Sequence, residues 1–95
     1  PEAVRRLFQI TQLKHQAAAL GIDRIDLGET GGRFEFRSDT HVDPMAIVKL
    51  VQQEPGRYRL DGATVLRIKA TLADFQARFD MAETLFAKFR PKADQ

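Results

Sequence analysis

Residues 28–62, GETGGRFEFRSDTHVDPMAIVKLVQQEPGRYRLDG, decide the fold of this chain. After a glycine-rich turn, Phe34 and Phe36 alternate with charged residues, which is the period-two pattern of a strand. Asp43 before Pro44 indicates a helix start, because aspartate caps the free amides of the first turn and proline fits its first position. A Pro-Gly pair ends this helix, and a second alternating run leads into an Asp-Gly turn. The stretch therefore predicts strand, helix and strand in succession.

The flanking sequence adds two longer helices and completes two hairpins. Apolar residues recur at three- to four-residue spacing over about residues 2–20, and Gly21 stands where a left-handed helix cap is usual. Residues 29–32 are predicted as the first hairpin turn, and a fourth strand is predicted over about 64–70. The last helix has the most regular apolar spacing, formed by Leu72, Phe75, Phe79, Ala82, Phe86 and Phe89.

The element order is therefore α-β-β-α-β-β-α, an α+β fold in a single domain. Two hairpins make a four-stranded, mostly antiparallel sheet, and three helices with one apolar side each cover apolar sheet surface. The strand residues expected to point inward are Ile25, Leu27, Phe34, Phe36, Tyr58, Leu60, Leu66 and Ile68. The principal core residues are expected to be Phe34, Phe36, Leu60, Ile68, Phe75 and Phe79.

The chain is expected to be one domain of a longer protein. Its 95 residues are enough for a single modest core. It opens without methionine and falls almost at once into a helical pattern, which suggests a domain cut from a longer chain. We assign residues 1–91 to the domain and residues 92–95 to a disordered tail, because Pro91 stops a helix and the remainder is polar.

Composition excludes several classes of protein. The chain has no cysteine, so it has neither a disulfide framework nor a thiolate zinc site. It has no apolar run of about 18 residues and no basic-then-apolar leader, so neither a membrane span nor an export signal is visible. Together these features predict a cytoplasmic protein. The net charge of +2 is compatible with nucleic acid but does not require it.

The residues that usually carry chemistry are sparse. His15 lies mid-helix among glutamine and alanine, and His41 with Asp43 supplies two side chains, which is not a metal coordination set. Ser38 is the only serine. The glycines of residues 28–32 lead into a strand and match no phosphate-binding loop. We therefore expect no catalytic, cofactor or metal residue, and no enzyme activity in this domain.

The polar face of the predicted sheet is the better candidate for function. By alternation it presents Arg33, Glu35, Arg37, Arg57, Arg59, Asp61, Arg67 and Lys69. Such a face could be solvated with Arg-Glu pairs across strands, could dock a protein, or could follow a phosphate backbone. RNA-binding sheets place aromatics among the charges, whereas the strand aromatics here share the apolar face. The residues chosen as candidates for partner contact are Arg33, Arg37, Arg57 and Arg59.

Short motifs in order carry a family resemblance across nearly the whole chain. They are Ala19-Leu20-Gly21-Ile22, Gly31-Gly32-x-Phe34-Glu35-Phe36, His41-Val42-Asp43-Pro44 and Tyr58-Arg59-Leu60-Asp61-Gly62. Together they resemble the C-terminal domain of the bacterial transcription-repair coupling factor. Each motif is weakly specific alone, and their joint order and spacing carry the resemblance.

The resemblance implies a regulatory domain. Full-length members of the family are ATP-driven double-stranded-DNA translocases that displace stalled RNA polymerase and recruit excision repair. Their C-terminal domain docks on the repair-recruiting module and masks the surface that binds the damage-recognition subunit. The implied partner is therefore that module of the same parent chain, and indirectly the damage-recognition subunit and RNA polymerase. No membrane or direct nucleic-acid contact is expected.

Two other classes remain open from the residues alone. One is a small nucleic-acid-binding module that uses the basic sheet face, which predicts salt-sensitive DNA binding. The other is an enzyme domain whose site forms only in a complex, which predicts a pocket with several shifted pKa values.

Overall fold

The order of helices and strands is the one that the sequence predicts. The computed structural model describes residues 1–90, so Pro91 and the predicted disordered tail at 92–95 lie outside the described residues. The elements are α1 (Glu2–Leu20), β1 (Ile22–Gly28), β2 (Gly31–Phe36), α2 (Pro44–Gln53), β3 (Tyr58–Asp61), β4 (Val65–Lys69) and α3 (Phe75–Phe89). The α+β prediction is thus confirmed. No helix within residues 1–90 is long and apolar enough to cross a membrane.

The four strands form one sheet in the order β1-β2-β4-β3. All three pairings are antiparallel. The hairpins β1–β2 and β3–β4 are joined through β2 and β4, where Phe34 lies opposite Leu66. A register shift between Ile22 and Arg24 bulges the first strand near its start. The two hairpins therefore form one continuous surface with β1 and β3 at its edges.

The helices cover one face of this sheet, and an aromatic cluster lies between the layers. Phe34, Phe86 and Phe89 are fully buried. The ring centroid of Phe34 is 6.0 Å from that of Phe86 and 6.3 Å from that of Phe89, and Phe36 lies 5.7 Å from Phe89. These edge-on and tilted contacts are the arrangement that aromatic quadrupoles favour. The cluster joins α3 to the middle of the sheet.

The last helix begins later than its apolar spacing predicts. It starts at Phe75, and the side chain of Asp74 caps it by accepting a hydrogen bond of 2.9 Å from the backbone N–H of Ala77. Leu72 is buried but precedes the helix. The buried side of α3 consists of Ala82, Leu85, Phe86 and Phe89.

Three residues expected in the core are not fully buried. Phe75 and Phe79 are half-buried at the first turns of α3, where their rings stack with centroids 6.1 Å apart and the guanidinium of Arg6 lies 4.8 Å above Phe75. Leu60 points toward the helical side but is 39% exposed, in keeping with its position on the short edge strand β3. The other expected core residues, Phe34, Phe36 and Ile68, are buried.

Only the second half of α1 packs on the sheet. Ala17 and Leu20 are buried. Val4, Leu7 and Phe8 are all more than half exposed, although the apolar spacing of the helix includes them. The apolar stripe is therefore longer than the surface available to cover it.

The first hairpin turn is shorter than predicted. Gly31 and Gly32 belong to β2, and only residues 29–30 form the turn. Gly31 has φ 121°, in the region that favours glycine. A Cβ on Gly32 would overlap the carbonyl oxygen of Asp26 on the neighbouring strand. These two positions thus need glycine for backbone conformation and for close strand approach.

The end of α1 is tied to the segment that leads into α2. Gly21 is left-handed at φ 80°, as predicted, and a Cβ there would lie 2.6 Å from the Cα of Thr40. The hydroxyl of Thr40 donates to the Leu20 carbonyl at 2.6 Å, and the His41 N–H donates to the same oxygen at 3.1 Å. Asp43 then caps α2, accepting from the Met45 N–H at 2.9 Å.

Candidate functional site

The face of the sheet opposite the helices is uncovered and charged. We call it the outer face. Its basic residues are Arg24, Arg33, Arg57, Arg59, Arg67 and Lys69, and its acidic residues are Asp26, Glu35 and Asp61. Basic groups therefore outnumber acidic groups on a surface that no other part of residues 1–90 covers.

Strand pairing aligns these charges in rows across the sheet. In one row Asp26 lies opposite Arg33, Arg33 opposite Arg67, and Arg67 opposite Arg59. Like charges that lie directly opposite each other in a sheet are destabilising. The row therefore places three arginines side by side with an acidic residue at only one end.

Ion pairs neutralise part of this face. The Nε of Arg67 lies 2.6 Å from an Asp61 carboxylate oxygen, and an NH2 nitrogen of Arg33 lies 3.0 Å from a Glu35 carboxylate oxygen. Hydrogen bonding and charge from Arg67 hold the pKa of the Asp61 carboxyl below its usual range, with smaller contributions from Arg59 and Arg33. Asp61 thus responds to arginines on its own strand β3, on the neighbouring strand β4 and on β2 of the other hairpin.

The predicted contact residues divide into two places. Arg33, Arg57 and Arg59 lie on the outer face, whereas Arg37 follows the far end of β2. The Arg37 guanidinium instead binds both carboxylate oxygens of Asp39, at 2.9 and 3.2 Å, and this contact lowers the pKa of that carboxyl. At about 3.3 Å per residue, Arg37 is roughly 20 Å along the strand from Gly31.

Arg67 and Lys69 of β4 complete the group, although they were not among the residues chosen as contacts. Alternation places both on the polar face, but only the register shows that Arg67 lies between Arg33 and Arg59 and that Lys69 lies beside Arg57. An open cleft of about 500 Å³ runs here over Gly31 and Gly32. We call it the basic cleft. Its charged lining consists of Arg57, Arg59, Arg67 and Lys69.

The residues considered for catalysis or metal binding are two histidines and Asp43. His15 and His41 are exposed, and Asp43 is the cap of α2. Within residues 1–90 no group of three or more His, Cys, Asp or Glu side chains is placed to hold a metal ion. Burial raises the pKa of the Tyr58 hydroxyl, which lies in the core beside Met81. Among residues 1–90 the outer face is therefore the candidate functional site.

Comparison with known proteins identifies the family. Residues 1–47 match the family model described as the TRCF domain. The chain is 33% identical over 93 residues, 98% of its length, to the transcription-repair-coupling factor of Escherichia coli. It is 35% identical over 85 residues, 90% of its length, to the protein of the same name from Haemophilus influenzae. The chain belongs to the TRCF domain family.

The family model and the two relatives differ in how much of the outer face their alignments include. The family model reaches from α1 into α2 and so includes β1 and β2. The alignments to the two relatives extend over 90% or more of the chain, so they also take in most of β3 and β4. The chain spans less than a tenth of the length of these relatives, 8% and 7% respectively.

Proposed function

We propose that this TRCF domain is a non-catalytic interaction domain of a transcription-repair coupling factor. Its role is to cover the surface by which the parent protein recruits the damage-recognition subunit of excision repair. One observation carries the proposal: the helices close one face of the sheet and leave a charged outer face uncovered. An uncovered, charged sheet face suits contact with another domain of the same parent chain.

The chemistry of the outer face suits an interface that can open again. Its ion pairs are exposed or partly exposed, and exposed pairs each contribute only about 0–1 kcal/mol. Exchanging them for pairs with a partner therefore changes the free energy little. Interfaces between domains of one chain are commonly of this polar, moderate kind. Arg33, Arg57 and Arg59 are the proposed contacts on the outer face, with Arg37 at its far end.

The parent protein would supply the activities that this domain lacks. We propose that it is a cytoplasmic, ATP-dependent DNA translocase that acts on stalled RNA polymerase, as the family resemblance implies. The domain itself would hydrolyse no ATP. Its effect on repair would be indirect, through the fraction of parent molecules whose recruiting surface is open.

Deleting residues 1–95 from the full-length parent tests the masking role. Removal of a competing internal ligand should strengthen binding of the damage-recognition subunit, by about 5- to 150-fold if the coupling is of the usual ~1–3 kcal/mol. Binding is measured by titration of labelled parent protein. Unchanged affinity after the deletion would exclude masking.

Charge reversal tests whether the masking contact lies on the outer face or elsewhere on the domain. Arg57→Glu with Arg59→Glu should give part of the deletion effect while the domain stays folded. Lys49→Glu with Lys88→Glu is the matched control, because both lysines are exposed on the helical layer. An equal effect from both double variants would place the contact elsewhere.

A further inference from the structure

The basic cleft holds cations whose charge the domain itself does not balance. Arg67 pairs with Asp61 and Arg57 pairs with Glu54 at 3.4 Å. Among residues 1–90, Arg59 and Lys69 form no ion pair with any carboxylate. Of the residues that the structure describes, no acidic one lines the cleft. Positive charge is therefore concentrated here beyond the average of the outer face.

The register places arginines of the cleft and of the adjoining strand β2 side by side. Arg59 lies directly opposite Arg67, which lies directly opposite Arg33. Adjacent strands are about 4.8 Å apart, so the three residues fall within roughly 10 Å of sheet width. Facing like charges repel, and an anion bound between them would relieve the repulsion.

The floor of the cleft leaves room for such an anion. Gly31 carries no side chain and lies opposite Lys69 of β4 on the outer face, and the backbone of Gly32 continues the floor beside it. The cleft is open to solvent along the sheet, so an extended polyanion can lie across it. Guanidinium groups present forked donors that match phosphate oxygens.

We propose that the basic cleft binds the phosphodiester backbone of a nucleic-acid duplex without reading its bases. Charge density favours this ligand over an acidic protein surface. Duplex DNA carries a negative charge about every 1.7 Å of axis with both strands counted, so roughly 10 Å of duplex contains about six phosphates, and those on the near side face the cleft. Few folded protein surfaces place carboxylates so closely.

The position of the aromatic residues selects a duplex rather than a single strand. Proteins that bind single strands stack the bases on aromatic side chains. Here Phe34, Phe36 and Tyr58 are all buried on the inner side of the sheet. The cleft therefore presents charged side chains and no exposed strand aromatic on which a base could stack. This suits a nucleic-acid duplex, whose bases are already stacked on one another.

Binding of a short mixed-sequence DNA duplex to the 95-residue chain tests the proposal. With contacts from Arg57, Arg59, Arg67 and Lys69, the logarithm of the affinity should fall with the logarithm of salt at a slope of about −3.6. The slope should not depend on the base sequence. Fluorescence anisotropy between about 50 and 200 mM salt measures it.

Neutral variants locate the site. Arg59→Gln with Lys69→Gln should reduce the slope to about −1.8 and weaken binding roughly 60-fold at 0.1 M salt. Both residues are exposed and unpaired within residues 1–90, so circular dichroism should show an unchanged fold. Lys49→Gln with Lys88→Gln removes the same charge from the helical layer. The salt slope of this control should fall by less than half as much as the slope of the cleft variant.

Three results would overturn the proposal: no duplex binding by the folded chain at low salt, equal loss in the control variant, or tighter binding of poly-glutamate than of duplex. The last result would make the cleft a site for an acidic protein surface. The test does not depend on the masking role, since it uses neither the parent protein nor the repair subunit. Failure of one proposal therefore leaves the other standing.

Discussion

At the scale of single residues, the contact between Arg67 and Asp61 is the shortest ion pair of the outer face, at 2.6 Å. It lowers the pKa of the Asp61 carboxyl, so the folded state is favoured while that group is ionised. The contribution is present above the unfolded pKa and is lost as pH falls through the lower, folded pKa. Its pH window is therefore the acid range below the ordinary aspartate pKa.

Substitution Arg67→Gln should raise the pKa of Asp61 toward its ordinary value. The reason is that the hydrogen bond and the positive charge of Arg67, which chiefly depress this pKa, are both removed. An NMR titration of the side-chain carboxyl carbons measures the change. Asp39, which pairs with Arg37, is the internal control and should titrate as before. An Asp61 titration that does not move would contradict this account of the outer face.

Sequence reasoning at the residue scale succeeds where the partner is near in the chain. Asp43 and Gly21 are recognisable as caps because their partners lie within a few residues. Thr40 is not recognisable, because its hydroxyl satisfies a carbonyl of Leu20, which lies in a different element. His41 contributes to the same loop through its backbone N–H, which donates to the Leu20 carbonyl and which a side-chain pattern does not reveal.

At the scale of elements, α3 provides the sharpest test of the core. Phe86 is fully buried against Phe34, whereas Phe75 is half-buried at the first turn. Phe86→Ala should therefore lower the free energy of unfolding by about 3–5 kcal/mol. Phe75→Ala should cost about 1 kcal/mol, since much of its ring is already in water.

Urea unfolding followed by circular dichroism measures both free energies. The two variants remove the same atoms from the same helix, so each serves as the control for the other. If Phe75→Ala costs as much as Phe86→Ala, the first turn of α3 is packed more closely than its exposure indicates.

Periodicity predicts which side of an element is apolar, but it does not predict how far that side is covered. The apolar spacing of α3 continues back to Leu72, which is buried in the loop before the helix. The predicted helix therefore starts too early. In α1 the stripe includes Leu7, which is 65% exposed. Both errors arise because coverage depends on the neighbouring element, which a local pattern does not contain.

At the scale of the whole molecule, the order of elements is predictable and their adjacency is not. Each hairpin follows from local alternation and a turn. The contact of β2 with β4 joins residues such as Phe34 and Leu66 that are far apart in the chain, and nothing local specifies it. The basic cleft depends on this same contact, which is why the sequence indicated a basic face but not the group formed by Arg59, Arg67 and Lys69.

The β2–β4 pairing also has a consequence for how fast the chain folds. Each hairpin can close over a few residues, whereas joining the two hairpins requires closure of the loop that contains α2. The conformational entropy of that loop must be lost before the aromatic cluster forms. We therefore expect the junction to be structured in the folding transition state. Leu66→Ala should slow folding, with a φ-value above about 0.5, while Ile22→Ala at the outer edge should chiefly speed unfolding. Stopped-flow refolding and unfolding in urea measure the folding and unfolding rates of both variants. A folding rate unaffected by Leu66→Ala would show that the hairpins join only after the transition state.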